Sequence, residues 1–149
     1  MNAGTPVPAL WAEHAELTLR GAQTLLDYGE NAARERGVRL CLAVVDRSGA
    51  LLAFRRMDGA APVAIDVAIG KARSAAMLRG DSRAFEELVD GQHPSMLATP
   101  GVLPLRGGVP VRVGAAVLGA VGASGATGPV DEAVAVLMAG GVDATEVAR

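Results

Sequence analysis

The residues best suited to chemistry fall in three stretches. Gly119, Gly122, Gly125 and Gly128 run through Ser124 toward Pro129. Backbone amides in such a loop, beside a helix N-terminus, can bind a carboxylate or phosphate, with Ser124 and Gly125 as contact points. Glycines also allow close backbone packing and tight turns, and that role is open to Gly119 and Gly122. The series is not a dinucleotide fingerprint, because it lies on a hairpin strand and no βαβ unit with a downstream acid follows. Asp131 and Glu132 come next. They could coordinate a metal or move protons at a pocket mouth. Acids in a helix's first turn are also favoured by its dipole, and Asp131 can cap free amides.

Lys71 and Arg73 form the second stretch, two residues apart and so on different helix faces. Arg73 could clamp a carboxylate bidentately. Lys71, the chain's only lysine, could act as an amine catalyst if desolvated, though either charge could simply stay solvated. The third stretch holds His93, a candidate metal ligand with Met96 nearby as a soft partner. His14 is the only other imidazole. Cys41 is the single cysteine, which rules out an intrachain disulfide and a thiolate cluster. Neither a Ser-His-Asp order nor zinc-ligand spacing stands out.

The elements that must position these residues read as follows. Residues 1–15, with Pro6 and Pro8, suggest a flexible N-terminal arm, and 16–149 a single domain. Leu19, Ala22, Leu25, Leu26, Gly29 and Ala33 recur at helical spacing, so a helix is expected over 16–36, ending at Gly37. Val38–Val45 and Ala50–Met57 flank an Asp46–Gly49 turn as a β-hairpin. Ile65, Ala68, Ile69, Ala72, Ala75 and Ala76 mark a helix over 63–78, and Ser82 opens a short one. The stretch 91–101 looks irregular, and Val102–Leu105 reads as a short strand. Residues 109–113 and 115–124 make a second hairpin around Gly114, and Pro129 opens a last helix through Gly140. The expected fold is α+β: a five-stranded antiparallel sheet flanked by helices, in the order α-β-β-α-α-β-β-β-α.

A chain of 149 residues buries about two-thirds of its unfolded surface and needs no metal or disulfide to fold. Half of it is hydrophobic, yet its aromatics are only Trp11, Tyr28, Phe54 and Phe85, so Ala, Val and Leu must build the core. A net charge of −2 suggests no nucleic-acid partner. No apolar run approaches the roughly 20 residues a membrane helix needs, and no membrane association is expected. The N-terminus lacks the pattern of a secretory signal, so a cytoplasmic location is expected.

Four blocks carry a resemblance. Ala43 through Gly59, Ile69 through Ala76, Gly107 through Pro110, and Gly119 through Gly125 followed by Asp131-Glu132-Ala133 resemble the GlcG/HbpS family in order and kind. The resemblance implies a GlcG/profilin-like sheet with flanking helices, and a homo-oligomer of two or more copies. It also implies haem binding or haem degradation, with haem as the possible cofactor and a carboxylate-bearing small molecule as partner. An apolar pocket between the sheet and loop 91–108 would then turn Arg73 or Arg106 toward propionates. With both histidines outside the family blocks, an oxygen ligand or an oligomer interface could hold the iron. Two alternatives stand beside this. One is a deaminase, isomerase or cyclase acting on a small organic acid, with Arg73, Ser124 and Gly125 binding it and Asp131, Glu132 or Lys71 moving protons. The other is a non-catalytic accessory subunit.

Overall fold

Thr18 starts the first helix. Its Oγ1 accepts a hydrogen bond from the Gly21 amide at 3.0 Å, which satisfies an N–H that a helix start leaves open. Helix α1 runs Leu19–Glu35. It closes at Gly37, whose φ is +66°. Gly37 N donates to Arg34 O and Val38 N to Ala33 O, the paired bonds of a Schellman ending. Ala22, Leu25, Leu26, Gly29 and Ala33 form its buried stripe, while Leu19 at the first position is exposed. The computed structural model describes residue 4 and residues 6–146. Of the expected arm and domain, residues 1–3, 5 and 147–149 lie outside the described residues; 6–15 carry no helix or strand.

Strands β1 (Cys41–Asp46) and β2 (Leu51–Arg56) form the first hairpin. At its turn, Asp46 Oδ1 accepts from the Ser48 amide and hydroxyl and from the Ala50 amide. There follow α2 (Val63–Leu78), α3 (Ser82–Asp90) and a 3₁₀ turn over Pro94–Ala98. Strands β3 (Gly108–Val113) and β4 (Ala116–Ser124) make the second hairpin, and α4 (Gly128–Glu146) ends the fold.

The sheet is antiparallel in the order β2-β1-β4-β3. Leu42, Val44, Val121 and Ala123 point to a core shared with Leu25 of α1 and Met138 of α4. Cys41, Ala43, Val45 and Ala120 point to the other side, against Ala68 and Ala72 of α2. The two central strands are covered on both faces, which is why they read as unbroken apolar runs. The alanines of α2 let it lie very close. A Cβ on Gly122 would stand 2.1 Å from Ala68 O and 2.7 Å from Ala72 N.

The sheet has four strands, and the expected fifth, Val102–Leu105, is absent. The observed order is therefore α-β-β-α-α-β-β-α. Two side chains take the backbone bonds that a ladder would have taken. Leu103 N donates to Ser74 Oγ at 2.7 Å, and Leu105 O accepts from Ser82 Oγ at 2.7 Å. Pro104 between them has no N–H to offer. The segment is thus tied to α2 and α3 rather than to the sheet. Helix α4 also outruns its expected end at Gly140. Gly141 sits where a Cβ would press to 2.6 Å from Tyr28 Cδ2, so this glycine serves the α1–α4 crossing and does not stop the helix.

Candidate functional site

Lys71 lies on α2 where the helix and sheet are nearly in backbone contact. A Cβ on Gly108 would stand 2.1 Å from the Lys71 carbonyl oxygen. The lysine side chain runs past Gly107, where a Cβ would meet Nζ at 3.0 Å. It ends against α4, on the far face of the sheet. Nζ donates to Asp131 Oδ2 at 2.9 Å and to Ala123 O at 3.0 Å. Each of the two residues is only 3% exposed. Ala123 N donates to Gly107 O, so the lysine takes the other backbone group of Ala123, beside the start of β3.

Asp131 is committed on both oxygens. Oδ1 accepts from the Ala126 amide at 3.0 Å. An amide loop beside a helix N-terminus attracts an anion, and here a carboxylate of the chain itself fills that role. Ser124 is buried at the end of β4, and Gly125 follows with φ +132°. A Cβ there would stand 2.8 Å from Arg39 O, so the turn passes close to the start of β1. With Lys71 held by two acceptors, amine catalysis would require this pair to open.

Glu132 faces a second group of charges. Its Oε1 accepts from Arg83 Nη1 at 3.1 Å, and Arg83 also holds Glu87. Glu132 Oε2 is buried without a hydrogen-bond partner. Arg106 pairs with Glu86 and lies over Gly128 at the start of α4. The structure therefore brings Lys71, Arg106, Asp131 and Glu132 to one corner, with Ser124 and Gly125 on the adjoining turn.

A cleft of about 620 Å³ opens between the end of α1 and the β2–α2 loop. Arg34, Arg39 and Arg56 line it, with Glu30 and Asp58, over Val38 and Met57. Arg34 bonds Glu30 at 2.9 Å, and Arg56 holds Ala60 O. The Arg34 hydrogen bond leads in holding the Glu30 carboxyl below its ordinary range; partial burial opposes it, and Arg55 adds to it.

Residues 17–139 match the family described as "Haem degrading protein HbpS-like". The chain belongs to the HbpS-like family. It is 38% identical over 108 residues to Protein GlcG of Escherichia coli K12, covering 72% of this chain and 81% of that one. Klebsiella pneumoniae protein ORFY superposes with a TM-score of 0.87 at 30% identity, covering 93% of this chain and 99% of the other. A double mutant of Streptomyces reticuli HbpS gives 0.80 at 33% identity, covering 92% and 96%.

The other expected site residues of this HbpS-like chain lie elsewhere. Arg73 is exposed over the β1–β2 turn, where a Cβ on Gly49 would be 3.8 Å from its Cγ. His93 is exposed just before the 3₁₀ turn. Among the described residues no group of three or more His, Cys, Asp or Glu side chains could hold a metal ion. No helix among them is long and apolar enough to cross a membrane. Sequence reasoning missed Arg39, Arg56 and Asp58. The available signal was their placement at or just beyond the strand ends of the first hairpin, with Arg56 and Asp58 inside the Ala43–Gly59 block.

Proposed function

We propose that this protein binds haem, or a related tetrapyrrole with carboxylate arms, in the cleft between α1 and the β2–α2 loop. The family match over residues 17–139 carries this reading. The cleft supports it. Its volume of about 620 Å³ suits a large planar ligand, and binding pockets commonly span about 300–1,000 Å³. A Cβ on Gly37 would meet nothing within 4 Å, so one side of the cleft is open. Arg39 and Arg56 would hold propionates, and Val38 and Met57 would meet the apolar ring. Neither His14 nor His93 lines the cleft, and Met57 sulfur already accepts from Leu40 N. Glu30 and Asp58 would therefore offer oxygen to the iron. Bound haem would supply iron-centred redox chemistry; the residues named here would bind and orient it.

Hemin titration tests this. A Soret shift saturating at one hemin per chain is expected, with affinity at least about tenfold weaker in Arg39→Ala and Arg56→Ala. The absence of a shift at stoichiometric hemin would overturn the proposal. A shift equal in both variants would move the site out of this cleft.

Assembly into a homo-oligomer belongs to the same reading. Tyr28, Val136 and Leu137 form an exposed apolar strip along α1 and α4, of the kind that marks contact surfaces. Light scattering should give a mass of at least two chains, and a monomer would refute it.

A further inference from the structure

A second cleft, of about 460 Å³, lies on another part of the surface. Arg47, Arg79 and Arg112 line it, with His14 and Glu13. They come from three elements: the β1–β2 turn, the end of α2, and β3. Two of the guanidinium groups are fixed by backbone. Arg79 Nη1 donates to Arg47 O at 2.9 Å, and Arg112 Nη2 donates to Arg79 O. Each bond uses one of the five donors a guanidinium carries. The rest of each fork is free to meet a ligand.

The charge here is not balanced by the chain. None of the ion pairs among the described residues includes Arg47, Arg79 or Arg112. Glu13 is the single carboxylate against three guanidinium groups. That surplus stands out in a chain whose net charge is −2. Arg79 also holds a backbone conformation that disfavours it. Its φ of +54° makes it the one non-glycine residue with positive φ among the described residues. Asparagine or glycine would suit that position better. A role in ending α2 explains the bond from Arg112 to Arg79 O, since cations favour helix C-termini. It explains neither the Arg47 guanidinium nor a cleft bounded by all three.

We propose that this cleft binds a small polyanion carrying two or more phosphate or carboxylate groups. Separate guanidinium forks on three elements can each grip one acidic group, and a single carboxylate would engage only part of the set. The site is separate from the haem cleft and does not depend on it.

Calorimetric titration at constant ionic strength tests the proposal, with pyrophosphate and citrate as probes and acetate as the monoanion control. At least one polyanion should bind saturably at one site per chain, and acetate should not. Arg79→Gly and Arg112→Ala should each weaken binding at least about tenfold. Glycine accepts the Arg79 backbone angle, so Arg79→Gly keeps the fold while removing the guanidinium. Hemin titration should be unchanged in both variants. Binding of pyrophosphate alone would identify phosphate esters as the ligand class, and of citrate alone polycarboxylates. The proposal is overturned if neither polyanion binds, if acetate binds equally well, or if both variants bind like the parent.

Discussion

Lys71 and Asp131, 60 residues apart in sequence, form an ion pair at 2.9 Å that joins helices on opposite faces of the sheet. Because each residue also bonds backbone, at Ala123 O and Ala126 N, the pair anchors the end of β4 and the start of α4 together. Burial removes the water that would otherwise solvate a charge left alone.

Removing one partner should therefore cost more than removing both. Lys71→Met alone strands the Asp131 carboxylate, and a loss of about 3–5 kcal/mol is expected in urea denaturation. Lys71→Met with Asp131→Leu should lose clearly less, because no buried charge remains. A double variant as unstable as the sum of the singles would show that the pair is not coupled.

The Asp46 turn should give a pH signature. The Ser48 hydroxyl leads in holding the Asp46 carboxyl below its ordinary value of 3.8; partial burial opposes it, and the amides of Ala50, Ser48 and Gly49 add to it. A depressed folded-state pKa gives stability that is present above the unfolded value and lost as pH falls through the folded one. Asp46→Asn should thus cost about 1 kcal/mol near neutral pH. The gap should close as pH drops from about 5 toward 2. A gap that stays constant across that window would assign the loss to shape rather than charge.

Much of this architecture is legible in the sequence, and what is not has a common cause. The stripe Ala68, Ala72 and Ala75 announced α2 because helical periodicity is local. Val102–Leu105 looked like a strand for the same local reason, yet its backbone is claimed by Ser74 and Ser82 from distant helices. Lys71 stood out as the lone lysine, but nothing near it in sequence announced Asp131 or the gap at Gly107. Arg73, two residues along, could be assigned to a different face from Lys71 by spacing alone. The three-arginine cleft left no local trace, because its members come from a turn, a helix end and a strand.

Glycines that look alike in sequence should behave in opposite ways. Gly122→Ala drives a methyl into the backbone of α2, at 2.1 Å from Ala68 O, and neither backbone can move cheaply. A loss of about 3 kcal/mol or more is expected. Gly140→Ala meets nothing within 4 Å inside α4 and should gain about 1 kcal/mol from helix propensity. Thermal melts of the two variants check the pair, and a stable Gly122→Ala would mean that α2 does not rest on the sheet as described.

Asp131 and Glu132 are neighbours, yet the same kind of substitution should separate them. Asp131 has both oxygens satisfied, whereas Glu132 Oε2 is buried and unbonded. An unsatisfied buried acceptor costs about 1–3 kcal/mol, and more when charged. Glu132→Met removes that cost. It gives up only the bond from Arg83, which is half exposed and keeps Glu87, and a pair with a solvated partner contributes about 0–1 kcal/mol. Glu132→Met should therefore be neutral to about 1 kcal/mol more stable by urea denaturation, while Asp131→Leu alone strands the Lys71 ammonium and falls by about 3–5 kcal/mol. A destabilised Glu132→Met variant would show that Oε2 has a partner holding the fold together.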